Sequence, residues 1–210
     1  DHVNGIAALQ ETHDVPVYIS AHEAAFYTPK CKNLKKVSDK QKLRIGNLEI
    51  DLNELTKFIV KAKKNGYAGG GEKRREADGS KTLIFREGDF CYTNNYDGSY
   101  QASGSEIVRW QREDGQRIWH MAYFGGIDPE FWGNEGIKES NLAFLKEALS
   151  LVSFDPPFGG PPIHENEDLE YTIEVGGNLR RCFGTEDITD KKLNRITFSG
   201  DFIGGLVMPK

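Results

Sequence analysis

The sequence predicts an α+β fold of internally duplicated units, each a helix followed by antiparallel strands, preceded by a truncated α/β segment. The first observation is a set of matching words: "GDFCYT" (88–93) resembles "EDLEYT" (167–172), and "FGGI" (124–127) resembles "IGGL" (203–206). These matches keep one order and lie 79 residues apart. The second is a change near residue 50, where alternating helix and strand patterns give way to one helix and a run of strands.

This change predicts two parts, residues 1–50 and 51–210. The first part contains "GIAALQET", "VPVYIS", "AHEAAFY" and "LRIGNLEI", which have an α/β rhythm. The second part divides into a first repeat at about 51–138 and a second at about 139–210. In a duplicated fold, the cleft between the halves is the expected place for a ligand.

Each repeat begins with a helix signal. In "DLNELTKFIVKAKKNG" Asp51 is an N-cap, Glu54 completes a capping box, and Gly66 suits a left-handed end. The second helix is predicted over "SNLAFLKEALSLV", capped by Ser140 or Asn141. The prolines of "DPPFGGPP" end it.

Composition narrows the class of protein. Hydrophobic residues make up 38% and charged residues 28%, with a net charge of −5, which is typical of a soluble globular chain and disfavours direct nucleic-acid binding. The sequence has neither a membrane-spanning apolar stretch nor a signal-peptide pattern, so we expect a cytoplasmic protein without membrane partners. Cys31, Cys91 and Cys182 are widely spaced, which predicts ordinary thiols and no disulfide or cysteine zinc site.

Residues 52–210 resemble the uncharacterised bacterial DUF5680 domain family. The matching words include "FIVKAKKNGYAGGG", "FREGDFCYTNNYDG", "GSEIVRW", "IWHMAYFGG", "LAFLKEAL" and "GDFIGGLV". Members of that family occur alone or behind helix-turn-helix domains of bacterial regulators. The resemblance implies a sensing or partner-binding module, and it provides no catalytic residues to carry over.

Residues 1–50 resemble a fragment of the metallo-β-lactamase fold, through "DHVNGIAALQE", "VPVYISAHEAAFY" and "KLRIGNLEI". Asp1 and His2 match the last two residues of its HxHxDH zinc motif. The HxH pair and the later ligands have no counterpart in this sequence, and two ligands do not hold a catalytic zinc. We therefore expect a non-functional metal remnant and no cofactor, with a zinc-dependent hydrolase as the alternative.

Several residues are candidates for a site. Asp89 and Asp168, and likewise Glu106 and Glu186, occupy equivalent repeat positions and could act as an acid–base pair or a cation site. Turn hydrogen bonds for the aspartates, and cross-strand pairing with Arg or Lys for the glutamates, are the simpler interpretations. The loop "NGYAGGGEKRR" could bind an anion, but a plain connection is favoured because the phosphate-loop spacing is absent.

Aromatic residues concentrate in the first repeat, which indicates either a cavity wall or core packing. His120 is expected to be structural. The function predicted is a non-catalytic domain that binds a small molecule or a protein partner. Its predicted ligand-binding residues are Tyr67, Tyr92, Tyr96, Glu106, Trp110, Trp119, Tyr123 and Glu186.

Overall fold

The computed structural model describes residues 17–20, 34–37, 42–66 and 73–208. Two small strand pairs come first. β1 (Val17–Ser20) and β2 (Leu34–Val37) are parallel, whereas β3 (Lys42–Ile45) and β4 (Leu48–Asp51) form an antiparallel hairpin. The helix α1 (Leu52–Asn65) follows the hairpin directly.

The remaining strands form one antiparallel sheet of nine, interrupted in sequence by the helix α2 (Glu135–Ser150). Their order across the sheet is β5-β6-β7-β8-β9-β13-β12-β11-β10. The chain therefore runs from one edge to the centre, passes through α2, and returns from the opposite edge to the centre. The strands are β5 (Lys73–Arg75), β6 (Lys81–Glu87), β7 (Phe90–Gly98), β8 (Gln101–Trp110), β9 (Arg117–Ile127), β10 (Ile163–Glu165), β11 (Leu169–Asn178), β12 (Arg181–Asp190) and β13 (Arg195–Leu206).

The two halves of this sheet have corresponding strand registers. Glu106 holds the same position in β8 as Glu186 holds in β12. The positions are compared through the residues that pair with each glutamate on its two neighbouring strands. Each strand also has an irregularity shortly beyond its glutamate, after Val108 in β8 and after Ile188 in β12. Since β9 and β13 pair at the centre, the two glutamates lie on strands that flank this central pair.

Both helices contribute apolar side chains to one hydrophobic core with the sheet, as the broad α+β class predicts. Leu55 and Ile59 of α1 and Phe144 and Ala148 of α2 are buried in that core. Burying such side chains contributes about 1.5–3 kcal/mol each for the larger ones. Neither helix in the described ranges is long and apolar enough to cross a membrane.

The helix ends agree in part with the predictions. The Asp51 carboxylate accepts from the N–H groups of Asn53 and Glu54, so the predicted N-cap is confirmed. Gly66 ends α1 with φ −84°, so the predicted left-handed end is wrong; its N–H instead donates to the Ala62 carbonyl at 2.7 Å.

The start of α2 was predicted too late. Its N-cap is Asn134, whose side-chain oxygen accepts from the N–H of Ile137 at 3.1 Å. Asn141 is instead a buried residue inside the helix. Its amide nitrogen donates to the Ile137 carbonyl at 2.8 Å, and its oxygen accepts from the Thr197 hydroxyl at 2.8 Å. A buried asparagine with both ends bonded does not act as a cap.

The β3–β4 hairpin joins the same core. Ile45 and Ile50 are fully buried and cluster with Leu52 and Leu55 of α1. The described core therefore extends back beyond the boundary predicted after residue 50, which itself stays a prediction.

Candidate functional site

A cavity of about 550 Å³ opens between the helices and the helix-facing side of the sheet. Alternate residues of a strand point to the same face, which brings Tyr92, Asn94 and Tyr96 of β7 to its wall. Both halves of the sheet contribute, since Glu106 of β8 and Glu186 of β12 border it together. Apolar surface comes from Met121, Leu142, Leu145, Leu149, Phe158, Phe198 and Phe202.

A buried ion pair forms part of the cavity floor. Lys63 of α1 and Glu106 each have only 9% of their side chains exposed. Lys63 Nζ donates to Glu106 Oε1 at 2.8 Å and to the Phe158 carbonyl at 3.0 Å. It also lies 2.7 Å from Glu106 Oε2, so both oxygens of this carboxylate contact the ammonium group.

Glu186 is the second carboxyl group of the floor. The Tyr171 hydroxyl donates to its Oε2 at 2.8 Å, and that hydroxyl accepts from the Gly160 N–H at 3.0 Å. The side chain is surrounded by protein atoms but borders the cavity, so part of it stays accessible from there. Burial raises the pKa of Glu186, opposed by the Tyr171 hydrogen bond and the positive charge of Lys63, and increased further by Glu106.

Tyrosine hydroxyls surround these carboxyl groups. Burial, and next the negative charge of Glu106, raise the pKa of Tyr92 well above its usual value. Burial, and then Glu186, likewise raise the pKa of Tyr171. The Tyr123 hydroxyl donates to Asn94 Oδ1 at 2.8 Å. The floor therefore combines neutral phenols, two carboxyl groups and one ammonium group.

The mouth of the cavity carries charges of both signs. Lys138 of α2 pairs with Glu135 and lies 4.6 Å from the centroid of the Tyr100 ring. The Tyr100 hydroxyl donates to Glu135 at 2.7 Å, which ties the start of β8 to the start of α2. Lys73, Lys81, Glu139, Lys146 and Asp201 also border the opening.

The structure brings together five of the eight predicted ligand-binding residues, namely Tyr92, Tyr96, Glu106, Tyr123 and Glu186. Trp119 is fully buried outside the cavity wall and stacks on Phe158 with ring centroids 6.4 Å apart. Trp110 borders a separate depression, where its ring edge meets Phe90. Tyr67 lies outside the described residues.

Sequence reasoning missed Lys63 and Tyr171. Lys63 lies in the last turn of α1, where a positive charge also suits the helix dipole. The sequence does indicate that Lys63 is buried. It follows the buried Ile59 by four residues and so lies on the apolar face of α1. The interpretation that Glu106 pairs across strands is wrong, since its cationic partner comes from a helix.

The other candidates lie elsewhere. The Asp89 carboxylate accepts from Gln111 Nε2 at 3.1 Å, and the Asp168 carboxylate pairs with Lys192 at 2.6 Å. Neither side chain therefore makes the turn hydrogen bonds that the sequence predicted. His120 is half-buried, and burial lowers its pKa. The anion-loop candidate falls largely on residues 67–72, outside the described ranges.

Within the described ranges there is also no metal-binding group. No three His, Cys, Asp or Glu side chains are placed there to hold a metal ion. Cys91 and Cys182 are buried free thiols, and burial raises the pKa of Cys182 to about 11. Asp1 and His2 lie outside the described residues, so the zinc remnant stays a prediction.

These features define an α+β protein with a polar-floored cavity beneath two helices. A model of the DUF5680 family, a domain of unknown function, matches residues 94–207, which run from β7 to the end of β13. The chain belongs to this family. The match begins later than the resemblance of residues 52–210 suggested, and it does not extend to the segment compared with metallo-β-lactamases. No curated protein and no solved structure matches the chain.

Proposed function

We propose that this chain is a small-molecule-binding module, with the cavity between helices and sheet as its site. The observation that carries the proposal is a cavity of about 550 Å³ whose floor holds Lys63, Glu106 and Glu186 amid apolar walls. Ligand sites are typically about 300–1,000 Å³, mostly apolar, and supplied with a few polar groups that orient the ligand.

The energetics of the floor support a binding role. A buried ion pair costs several kcal/mol in desolvation, and its replacement by apolar residues is often neutral or stabilising. The Lys63–Glu106 pair is therefore poorly explained as a stabilising device. Charged groups around an open cavity are well explained as groups that recognise a ligand.

A role in regulation fits this proposal. The DUF5680 resemblance implies a sensing module, and a ligand held between both helices and both halves of the sheet would bind several elements at once. We favour a small molecule over a protein partner because the site is concave, whereas protein interfaces bury larger and more open surfaces.

The alternative of a zinc-dependent hydrolase rests on Asp1 and His2 alone. We expect purified protein to contain no stoichiometric zinc by elemental analysis. Stoichiometric zinc that disappears when both residues are changed to Ala would favour the hydrolase instead.

We also infer that the two halves of the domain are copies of one unit. The corresponding registers around Glu106 and Glu186 support this inference, as do the irregularities that follow each of them. In this view the cavity lies between two related halves and presents one glutamate from each.

The test compares two substitutions on adjacent residues of β8. Ala102 borders the cavity, whereas Ser103 is exposed on the opposite side of the strand. A thermal-shift screen with amines, alcohols, acids, amino acids and nucleosides should find compounds that raise the melting temperature of wild type. Ala102→Phe should abolish the shift and Ser103→Phe should retain it. A shift that survives Ala102→Phe would place the binding elsewhere.

A further inference from the structure

We infer that the cavity takes a ligand with a cationic amine, seated against Glu186 and beside Glu106. The inference rests on the proposed function, since it names the chemistry of the ligand that the same cavity would bind. It is carried by the distribution of charge and hydrogen-bond donors on the floor.

The floor has two carboxyl groups but one ammonium group. Lys63 Nζ directs its hydrogen bonds to Glu106 and to the Phe158 carbonyl. Glu186 receives a neutral phenol hydrogen bond, from Tyr171, and no ion pair with it is seen among the described residues. A second cation on the floor would therefore balance the charge that Lys63 leaves uncompensated.

The geometry also offers a carboxylate acceptor that faces the cavity. Glu186 is partly accessible from the cavity, and one of its oxygens remains beyond the Tyr171 bond. Glu106 is nine-tenths buried and lies beside it, with Lys63 Nζ 2.8 Å from its Oε1 and 2.7 Å from its Oε2. An ammonium group has three donors and no acceptor, so it matches such a set of oxygens.

The mouth carries charges of both signs, with Lys73, Lys81, Lys138 and Lys146 among its lining residues, so the preference for a cation has to come from the floor. Lys138 is paired with Glu135, and Lys81 lies 5.9 Å from the centroid of the Tyr96 ring. Glu139 of α2 borders the same opening. Solvent reaches the charges at the mouth and screens them more than those on the floor, which interact across a drier space.

The competing possibility is that Glu186 stays protonated and donates a hydrogen bond to an acidic ligand. A raised pKa is compatible with this, because burial favours the neutral acid when no cation is bound. The two cases predict opposite preferences between ligands of one shape, and this difference makes them separable.

The probes are 4-phenylbutylamine, 4-phenylbutanol and 4-phenylbutanoate, which share one apolar body and differ in the end group. Calorimetric titration of the full chain at neutral pH measures the dissociation constant of each. A charge-assisted hydrogen bond is about twice as strong as a neutral one, so the amine should bind about tenfold or more tightly than the alcohol. The acid should bind most weakly.

Two variants test the assignment to Glu186. Glu186→Gln keeps the shape and removes the carboxylate, so the preference for amine over alcohol should fall to about threefold or less, since most of a charge-assisted bond is lost. Asp187→Asn removes the same charge on the opposite face of β12, where Asp187 accepts from Ser199, and should keep the preference. Circular dichroism confirms that both variants fold.

The outcomes separate the two proposals. Equal binding of all three probes, tightest binding of the acid, or an amine preference that survives Glu186→Gln would overturn the ligand class while leaving a binding cavity. Failure of all three probes to bind wild type would count against the proposed function itself.

Discussion

Removal of the buried cation in α1 gives the sharpest test of the cavity floor. Changing Lys63 to Met keeps the length of the side chain but leaves Glu106 without its ion-pair partner. Loss of one member of a buried pair costs about 3–5 kcal/mol, because the remaining charge stays buried without compensation. For a chain of this size that corresponds to a fall in melting temperature of about 10 °C.

The chain provides a matched control two residues away. Lys61 pairs with Glu87, but these side chains are 56% and 51% exposed. Exposed pairs contribute about 0–1 kcal/mol, so Lys61→Met should have almost no effect. Combining Lys63→Met with Glu106→Leu should recover most of the loss, since an apolar pair removes the unpaired charge.

Urea denaturation followed by tryptophan fluorescence measures the free energy of unfolding of each variant. Lys63→Met should be far less stable than Lys61→Met, and the double variant should be close to wild type. Equal losses for the two lysine variants would refute the claim that Lys63 and Glu106 form a buried pair.

Three further predictions concern other parts of the domain. Because burial raises the folded-state pKa of Glu186 above its unfolded value of about 4.3, wild type should lose stability as the pH rises through the folded value. Glu186→Gln lacks this titrating group and should not lose stability in this way. Its free energy of unfolding relative to wild type should therefore rise between about pH 4 and pH 8. A difference that stays constant with pH would argue against a raised pKa of Glu186. A methyl group on Gly125 would lie 2.4 Å from the Gly200 Cα, so Gly125→Ala should lower the free energy of unfolding by about 1–3 kcal/mol. Gly136 lies in the open first turn of α2, so Gly136→Ala should raise the free energy of unfolding by up to about 1 kcal/mol. Cys182 should resist alkylation at about pH 8 until the protein unfolds, as judged by mass-spectrometric mapping, because its thiol is buried and its pKa is about 11.

Local signals in the sequence predict the elements well. Asp51 marks the start of α1 because a cap acts through neighbouring amides, which sequence spacing reveals. The start of α2 was missed because Asn134 and Asn141 are both plausible caps, and only tertiary packing buries Asn141 against Thr197.

The candidate site was predictable in part for the same reason. Equivalent positions along the chain singled out Glu106 and Glu186, and strand alternation brings both to one face. Lys63 was missed because its partner is distant in sequence and meets it through the packing of a helix on a sheet. Trp119 was included because aromatic content does not distinguish a core side chain from a cavity wall.

The central claim is that small molecules bind within this cavity. The chain has two methionines, and they provide a reporter and its control. Met121 borders the cavity and is 3% exposed, whereas Met208 is 60% exposed and lies outside it. In a titration with 4-phenylbutylamine followed by methionine-methyl NMR, the Met121 signal should shift and saturate while the Met208 signal stays in place. Equal shifts of both signals, or no shift of Met121, would contradict the account.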